Sequence, residues 1–259
     1  MRNIEPPYLE LGFYLVDGTQ GEAFARFARL LTKRGARLRG PAYVVRGSGA
    51  RARSAVCSPT EENVEVIPAG ESKLRELLRE PDTRVLRFEA VHTSVVFSDT
   101  RDVVTVLWLS SQSLGVGRNP IGIWTDGSWL DDLGAPDVRG AEFMSRALAA
   151  FADLCTSSNA AYGAISIDES LLAPTDMVSS QGTISYLDLY VSSRHVGAAT
   201  EARVRALLAG MRVIDLPSGV LFSGSLAPEF SYDERYRDLD AAARAIGHAL
   251  ILTPLSDSR

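Results

Sequence analysis

Apolar residues in the first half of the chain fall into short runs and one helical repeat. The run LGFYLVDG at 11–18 ends in Asp-Gly and predicts a buried strand. The next segment, 21–33, predicts an amphipathic helix whose apolar face is Phe24, Phe27 and Leu31. Valine-rich runs separated by polar turns then predict an antiparallel meander. The remaining predicted elements are a strand at 42–45, a short helix at 72–80 and meander strands at 85–92, 94–99 and 103–111.

The second half begins with a change to longer helical spacing. Residues 142–157 predict an amphipathic helix, and 211–225 reads as a hairpin that turns at Pro217 and Ser218. A final helix at 233–250 repeats apolar residues every three or four positions and is expected to dock by that stripe. Between these elements we predict strands at 161–168 and 185–192, a loop or irregular helical turn at 170–182, and a helix at 200–209 capped by Thr200.

Strands and helices do not alternate regularly, which favours an α+β fold over a doubly wound α/β fold. We expect a mixed or antiparallel sheet flanked by helices, in an arrangement that two α/β sandwich halves sharing one sheet would satisfy. The halves would be residues 1–116 and 117–259, packed as one compact unit. The 259 residues and the 46% hydrophobic content are sufficient for such a core.

Charge is distributed unevenly along the chain. Residues 1–56 carry ten cations and four acids, a net charge of +6, which leaves −11 on the other 203 residues out of a total of −5. This asymmetry indicates either an anionic partner or ordinary solvated surfaces. The basic loop at 46–54 has no interleaved aromatic residues, so nucleic-acid binding is disfavoured.

Location and redox state follow from simpler features. The N-terminus lacks a signal-peptide pattern, no apolar run is long enough to span a membrane, and the two cysteines form no motif. We therefore expect a cytoplasmic protein in which Cys57 and Cys155 are buried small hydrophobic residues.

Motifs for common chemistries are missing from the sequence. It contains no phosphate-binding glycine loop, no GxSxG elbow, no HExxH and no paired Cys/His spacing. The three histidines, His92, His195 and His248, are scattered. We therefore expect no catalytic residue, no bound metal and no cofactor.

The stretch GRNPIGIWTDGSWLDDLG at 117–134 is the first candidate binding segment. It combines two tryptophans with carboxylates that could line a pocket or offer oxygen ligands to a hard cation. The alternative is a junction in which the tryptophans join the two halves and the acids belong to turns. The candidate residues are Trp124, Asp126, Trp129, Asp131 and Asp132.

A second candidate segment opens the last helix. Tyr232, Asp233 and Tyr236 combine aromatic anchors with negative charge, which would suit a basic protein partner. The alternative is a solvated first turn whose acids stabilise the positive end of the helix.

The second half also resembles a known family. The segments AYGAISID, SYLDLYVSS and LPSGVLFSGSLAPEFSYDERYRDLDAAARAIGHAL, within 142–250, resemble bacterial polymorphic-toxin immunity proteins of the immunity-52 type. The resemblance implies a non-enzymatic α+β protein that binds and blocks a cognate toxin. It transfers no individual contact residue. The alternative function is a small-molecule-binding protein or enzyme that uses a pocket near Trp124–Asp132.

Overall fold

The computed structural model describes residues 8–17, 20–34, 39–46, 64–80, 83–92, 105–111, 120–126, 138–167, 171–179, 184–224 and 232–252. In these ranges the strands are β1 (Tyr8–Tyr14), β2 (Arg39–Arg46), β3 (Glu65–Gly70), β4 (Thr83–His92), β5 (Thr105–Ser111), β6 (Ile121–Asp126), β7 (Tyr162–Ile167), β8 (Asp188–Val191), β9 (Arg212–Leu216) and β10 (Gly219–Ser223). The helices are α1 (Gln20–Lys33), α2 (Glu71–Leu77), α3 (Val138–Ser158), α4 (Pro174–Ser179), α5 (Ser193–Val196), α6 (Ala198–Leu207) and α7 (Tyr232–Leu252).

One sheet runs through both halves of the chain. Its strand order is β3-β2-β4-β5-β6-β1-β7-β8-β10-β9, and each neighbouring pair is antiparallel. The predicted α+β class, with helices flanking a continuous sheet, is therefore confirmed. The first strand of the described residues lies inside this sheet, because β1 pairs with β6 on one side and with β7 on the other.

The first face of the sheet carries a core built around Phe13. Its ring centroid lies 4.6 Å from that of Phe27 on α1 and 5.3 Å from that of Phe151 on α3. The predicted apolar face of α1 is fully used, because Phe24, Phe27 and Leu31 are all buried. Leu74 and Leu77 extend the same core to α2. Helices α1, α2 and α3 therefore all lie on the first face.

The second face carries a separate core over β7, β8 and β10. Its helical cover comes from α4, α6 and α7, and Leu239, Ala243 and Ile246 of α7 are fully buried, as the predicted stripe requires. The absence of a side chain at Gly247 allows α7 to approach α4 closely. A Cβ on Gly247 would lie 2.7 Å from the carbonyl oxygen of Pro174.

Several boundaries differ from the predictions for local reasons. The segment expected to be a loop or an irregular helical turn contains the short regular helix α4, which starts at Pro174, a residue favoured in a first helical turn. Helix α6 starts at Ala198, and its N-cap is Gly197, which has a positive φ of 82°. Thr200 lies inside the first turn of this helix. The predicted cap at Thr200 is therefore wrong. The expected strand at 94–99 lies outside the described residues.

Candidate functional site

Trp124 is the candidate residue that the structure places most clearly. Strand β6 carries it between β5 and β1, where its register partners are Trp108 and Glu10. Ile121 and Ile123 point into the first core, so Gly122 and Trp124 belong to the second face by strand alternation. Trp124 is half-buried there.

A carboxylate shares the space beside this indole. A Cβ on Gly122 would lie 2.6 Å from Glu10 Oε1 and 2.6 Å from Trp124 Nε1, so both side chains occupy the volume that glycine leaves open. Glu10 is only 2% exposed. Glu10 is not among the candidate residues that the sequence indicates. The sequence feature that could have indicated a buried carboxylate is the position of Glu10 between Leu9 and Leu11 in a largely apolar strand.

The second face continues past Trp124 to the β3 edge of the sheet. The register places Tyr43 of β2 opposite Val66 of β3, and both alternate with residues of the first core. Tyr43 is half-buried and Val66 is 55% exposed. Because α1, α2 and α3 lie on the first face, no described helix of that group covers this surface. We call Tyr43, Val66 and Trp124 the open surface.

The dimensions of the open surface follow from sheet geometry. Tyr43 and Trp124 are separated by three strand spacings, so they lie about 15 Å apart. A protein interface of ordinary size buries roughly 800 Å² on each partner and easily spans this distance. Tyrosine and tryptophan are also the residue types that most often dominate the energy of such interfaces.

The other candidates of the tryptophan stretch are only partly placed. Asp126 is the last residue of β6 and pairs in register with Tyr8, while its side chain lies outside the described part. Trp129, Asp131 and Asp132 also lie outside the described residues. The predicted pocket or cation site formed by these groups therefore stays a prediction.

The acidic aromatic segment lies on a helix. The backbone of the first turns of α7 includes Tyr232, Asp233 and Tyr236, as predicted. The structure does not describe the side chains of these three residues. Within the described ranges, no group of three or more potential metal-ligating side chains comes together. No helix in those ranges is long and apolar enough to cross a membrane.

Three arginines of the basic N-terminal segment bond to other parts of this chain. Arg26 donates to the Ser158 carbonyl at 2.9 Å, and Arg34 pairs with Asp153. Arg46, where the predicted basic loop begins, bonds Glu65 at 2.8 Å and Glu80 at 2.7 Å, and these bonds raise its pKa. These contacts favour a structural role over an anion-binding role for the three arginines.

The described cysteine is structural. Cys155 is completely buried in the first core, and burial raises the pKa of its thiol well above the ordinary value. A neutral buried thiol packs as a small hydrophobic residue, as predicted. Cys57 lies outside the described residues.

The similarity of this chain to known proteins lies in structure and not in a family pattern. No protein-family model matches the chain, and no curated protein sequence matches it. Among solved structures, the chain is similar to a Pseudomonas aeruginosa T6SS protein, PA0821, with 12% sequence identity and a TM-score of 0.38. The alignment covers 93% of this chain and 76% of that one.

Proposed function

We propose that this chain is a protein-binding protein whose partner docks on the open surface. The observation that carries the proposal is the display of half-buried Tyr43, half-buried Trp124 and exposed Val66 on a sheet face that α1, α2 and α3 leave uncovered. Aromatic residues with an accessible edge anchor partners at little cost in side-chain entropy. Val66 adds exposed apolar area at the margin of the same surface.

The more specific proposal is that the partner is a toxin that this chain neutralises in the cytoplasm. The resemblance of 142–250 to immunity proteins supports it. The charge of −11 beyond residue 56 also favours a cationic partner, because complementary fields accelerate association. The start of α7, with Tyr232, Asp233 and Tyr236, would form a second contact segment. Neither catalysis nor a cofactor is required for this function.

The proposal can be tested with a toxin domain encoded beside this gene. Binding is measured by titration calorimetry, and protection by survival of cells that produce the toxin with or without this chain. Val66→Asp places a charge in the open surface and is expected to weaken binding about tenfold or more. Val213→Asp is the matched control, because Val213 is 40% exposed on β9 at the opposite edge of the same sheet.

Two results would count against the proposal. If no neighbouring gene product binds and no toxicity is relieved, the immunity function is wrong. If binding occurs but Val66→Asp and Val213→Asp weaken it equally, the chain binds proteins by another surface.

A second candidate function has its own observation. The buried Glu10 carboxylate beside the Trp124 indole would suit a small ligand with a cationic or hydroxyl group. Arginine methyl ester and glucose are suitable probes of the two chemistries. A saturable change in tryptophan fluorescence that Glu10→Gln abolishes would favour this function, and no saturable change with either probe would remove the support for it.

A further inference from the structure

Two prolines lie opposite each other at one edge of the sheet. Among the described strands β3 is the last on its side, and its register with β2 pairs Pro68 with Pro41. Antiparallel partners alternate between pairs that exchange two hydrogen bonds and pairs that exchange none. Proline has no backbone N–H, so Pro41 and Pro68 must form a pair of the second kind. The direction of the other backbone groups of β3 follows from the same alternation.

The backbone groups of β3 point alternately toward β2 and away from the sheet. Ile67, next to Pro68, exchanges both of its hydrogen bonds with Ala42 of β2. Val66 and Pro68 therefore turn their backbone groups to the outer edge. Val66 offers an N–H and a carbonyl there, whereas Pro68 offers a carbonyl only. The outer edge of β3 thus lacks one of its hydrogen-bond donors.

The position of Pro41 is consistent with this alternation on the other side of β2. Its nitrogen would face β4, and a missing N–H at that point would end the pairing of the two strands. The register of β2 with β4 does begin at Ala42, one residue after Pro41. Proline is tolerated within a sheet where it interrupts no ladder of hydrogen bonds.

The side chains at the outer edge of β3 are accessible. Val66 is 55% exposed, and Pro68 is exposed as well. Both alternate with Ile67, which packs against the first core, so they lie on the second face together with Tyr43. An accessible edge strand with apolar side chains is the kind of surface to which a strand of another molecule can add.

We propose that Pro68 closes the β3 edge to strand addition and thereby prevents two copies of this chain from joining their sheets. Two β3 strands can align antiparallel with Val66 opposite Pro68 of the other copy, or with Pro68 opposite its own copy. Either alignment lacks two backbone donors, one from each Pro68. The carbonyl groups that face the proline nitrogens are then buried without a partner, which disfavours the assembly. The closed edge does not depend on the partner proposed for the open surface.

Amide hydrogen exchange of the wild-type chain tests the direction of the backbone groups. The Ile67 amide is bonded to Ala42, whereas the Val66 amide points outward. We therefore expect Ile67 to exchange at least about tenfold more slowly than Val66 after correction for intrinsic rates. Equal protection of the two amides, or stronger protection of Val66, would contradict the proposed edge.

Sedimentation equilibrium of full-length variants tests whether Pro68 closes the edge. Pro68→Val restores the missing donor, and we expect self-association at least about tenfold tighter than that of the wild type, because two hydrogen bonds are regained. Protection of the Val66 amide should then rise with protein concentration. Pro41→Val is the matched control, since it adds the same side chain on the same sheet face while its new N–H points toward β4. It should associate like the wild type.

A second variant keeps the test decisive if Pro68→Val folds poorly. Pro68→Ala restores the same donor without a β-branched side chain, so it should also associate more tightly than the wild type. Unchanged self-association of the Pro68 variants, or an equal increase in Pro41→Val, would overturn the proposal.

Discussion

The hydroxyl groups of Tyr162 and Tyr186 form hydrogen bonds with the backbone carbonyl and the backbone amide of the same residue, Leu172. The Tyr162 hydroxyl donates to the Leu172 carbonyl at 2.6 Å, and the Tyr186 hydroxyl accepts from the Leu172 amide at 2.9 Å. Both tyrosines are buried in the second core. In the segment that leads into α4, the backbone amide and carbonyl of Leu172 are therefore hydrogen-bonded by side chains, although this segment belongs to no strand.

Removing one of these hydroxyls should leave a partly buried backbone group without its partner. We expect Tyr186→Phe to lower the free energy of unfolding by about 1 kcal/mol, because an unsatisfied, partly buried N–H is costly. Tyr162→Phe should cost a similar amount. Chemical denaturation of both single variants and the double variant measures the effect. Strict additivity in the double variant would contradict a shared function of the two hydroxyls at Leu172.

Gly122→Ala should disturb the contact between Glu10 and Trp124. The new methyl group would lie 2.6 Å from an atom of each side chain, and we expect a loss of about 1–3 kcal/mol with a change in tryptophan fluorescence. Gly70→Ala is the matched control, since nothing lies within 4 Å of its Cβ position. Equal stability of the two variants in urea denaturation would be inconsistent with the crowding described here.

Gly247→Ala tests the close approach of α7 to α4 by the sign of its effect. Helix propensity alone predicts a gain of about 1 kcal/mol for alanine over glycine. The structure predicts a net loss, because the added Cβ would lie 2.7 Å from the Pro174 carbonyl oxygen and 3.1 Å from Met177 Cβ. Thermal unfolding decides the sign, and a raised Tm would show that α4 can move away freely.

Glu201 should make stability depend on pH in the acid range. The bond from Ser193 and the bonds from Arg205 lower the pKa of its carboxyl group, despite partial burial. Its contribution is therefore present above the unfolded value of 4.5 and is lost as the pH falls through the lower folded value. Glu201→Gln should be less stable than the wild type at neutral pH, and the difference should shrink in strong acid. A difference that does not change with pH in denaturation experiments would contradict this account.

Regular elements were predictable where one physical signal dominated. The α1 face of Phe24, Phe27 and Leu31 and the α7 stripe that includes Ile246 follow from helical spacing alone, and both are buried. The 211–225 hairpin follows from its Pro-Ser turn between apolar runs. Each of these patterns is local, so no knowledge of the rest of the fold was needed.

The features that depend on distant pairing were not predictable. Glu10 is separated by more than one hundred residues from Trp124, and only the register of β1 with β6 brings them together. The contacts of Asn159 with Asp17 and with His195 likewise require the segments that follow β1, α3 and β8 to meet. Hydrophobic periodicity shows which face of an element is buried, but it contains no information about which strand lies beside it.

The central position of β1 also has a consequence for protein synthesis. Gly12 lies opposite Gly122 and Ala164, which follow it by 110 and 152 residues. At ordinary translation rates of about 5–20 residues per second, this first strand leaves the ribosome roughly 8–30 s before β7 does. During that interval one side of β1 remains without its final strand partner, although Phe27 of α1 is already available to pack on Phe13. Nascent chains of this protein should therefore be clients for chaperones that shield unpaired strands.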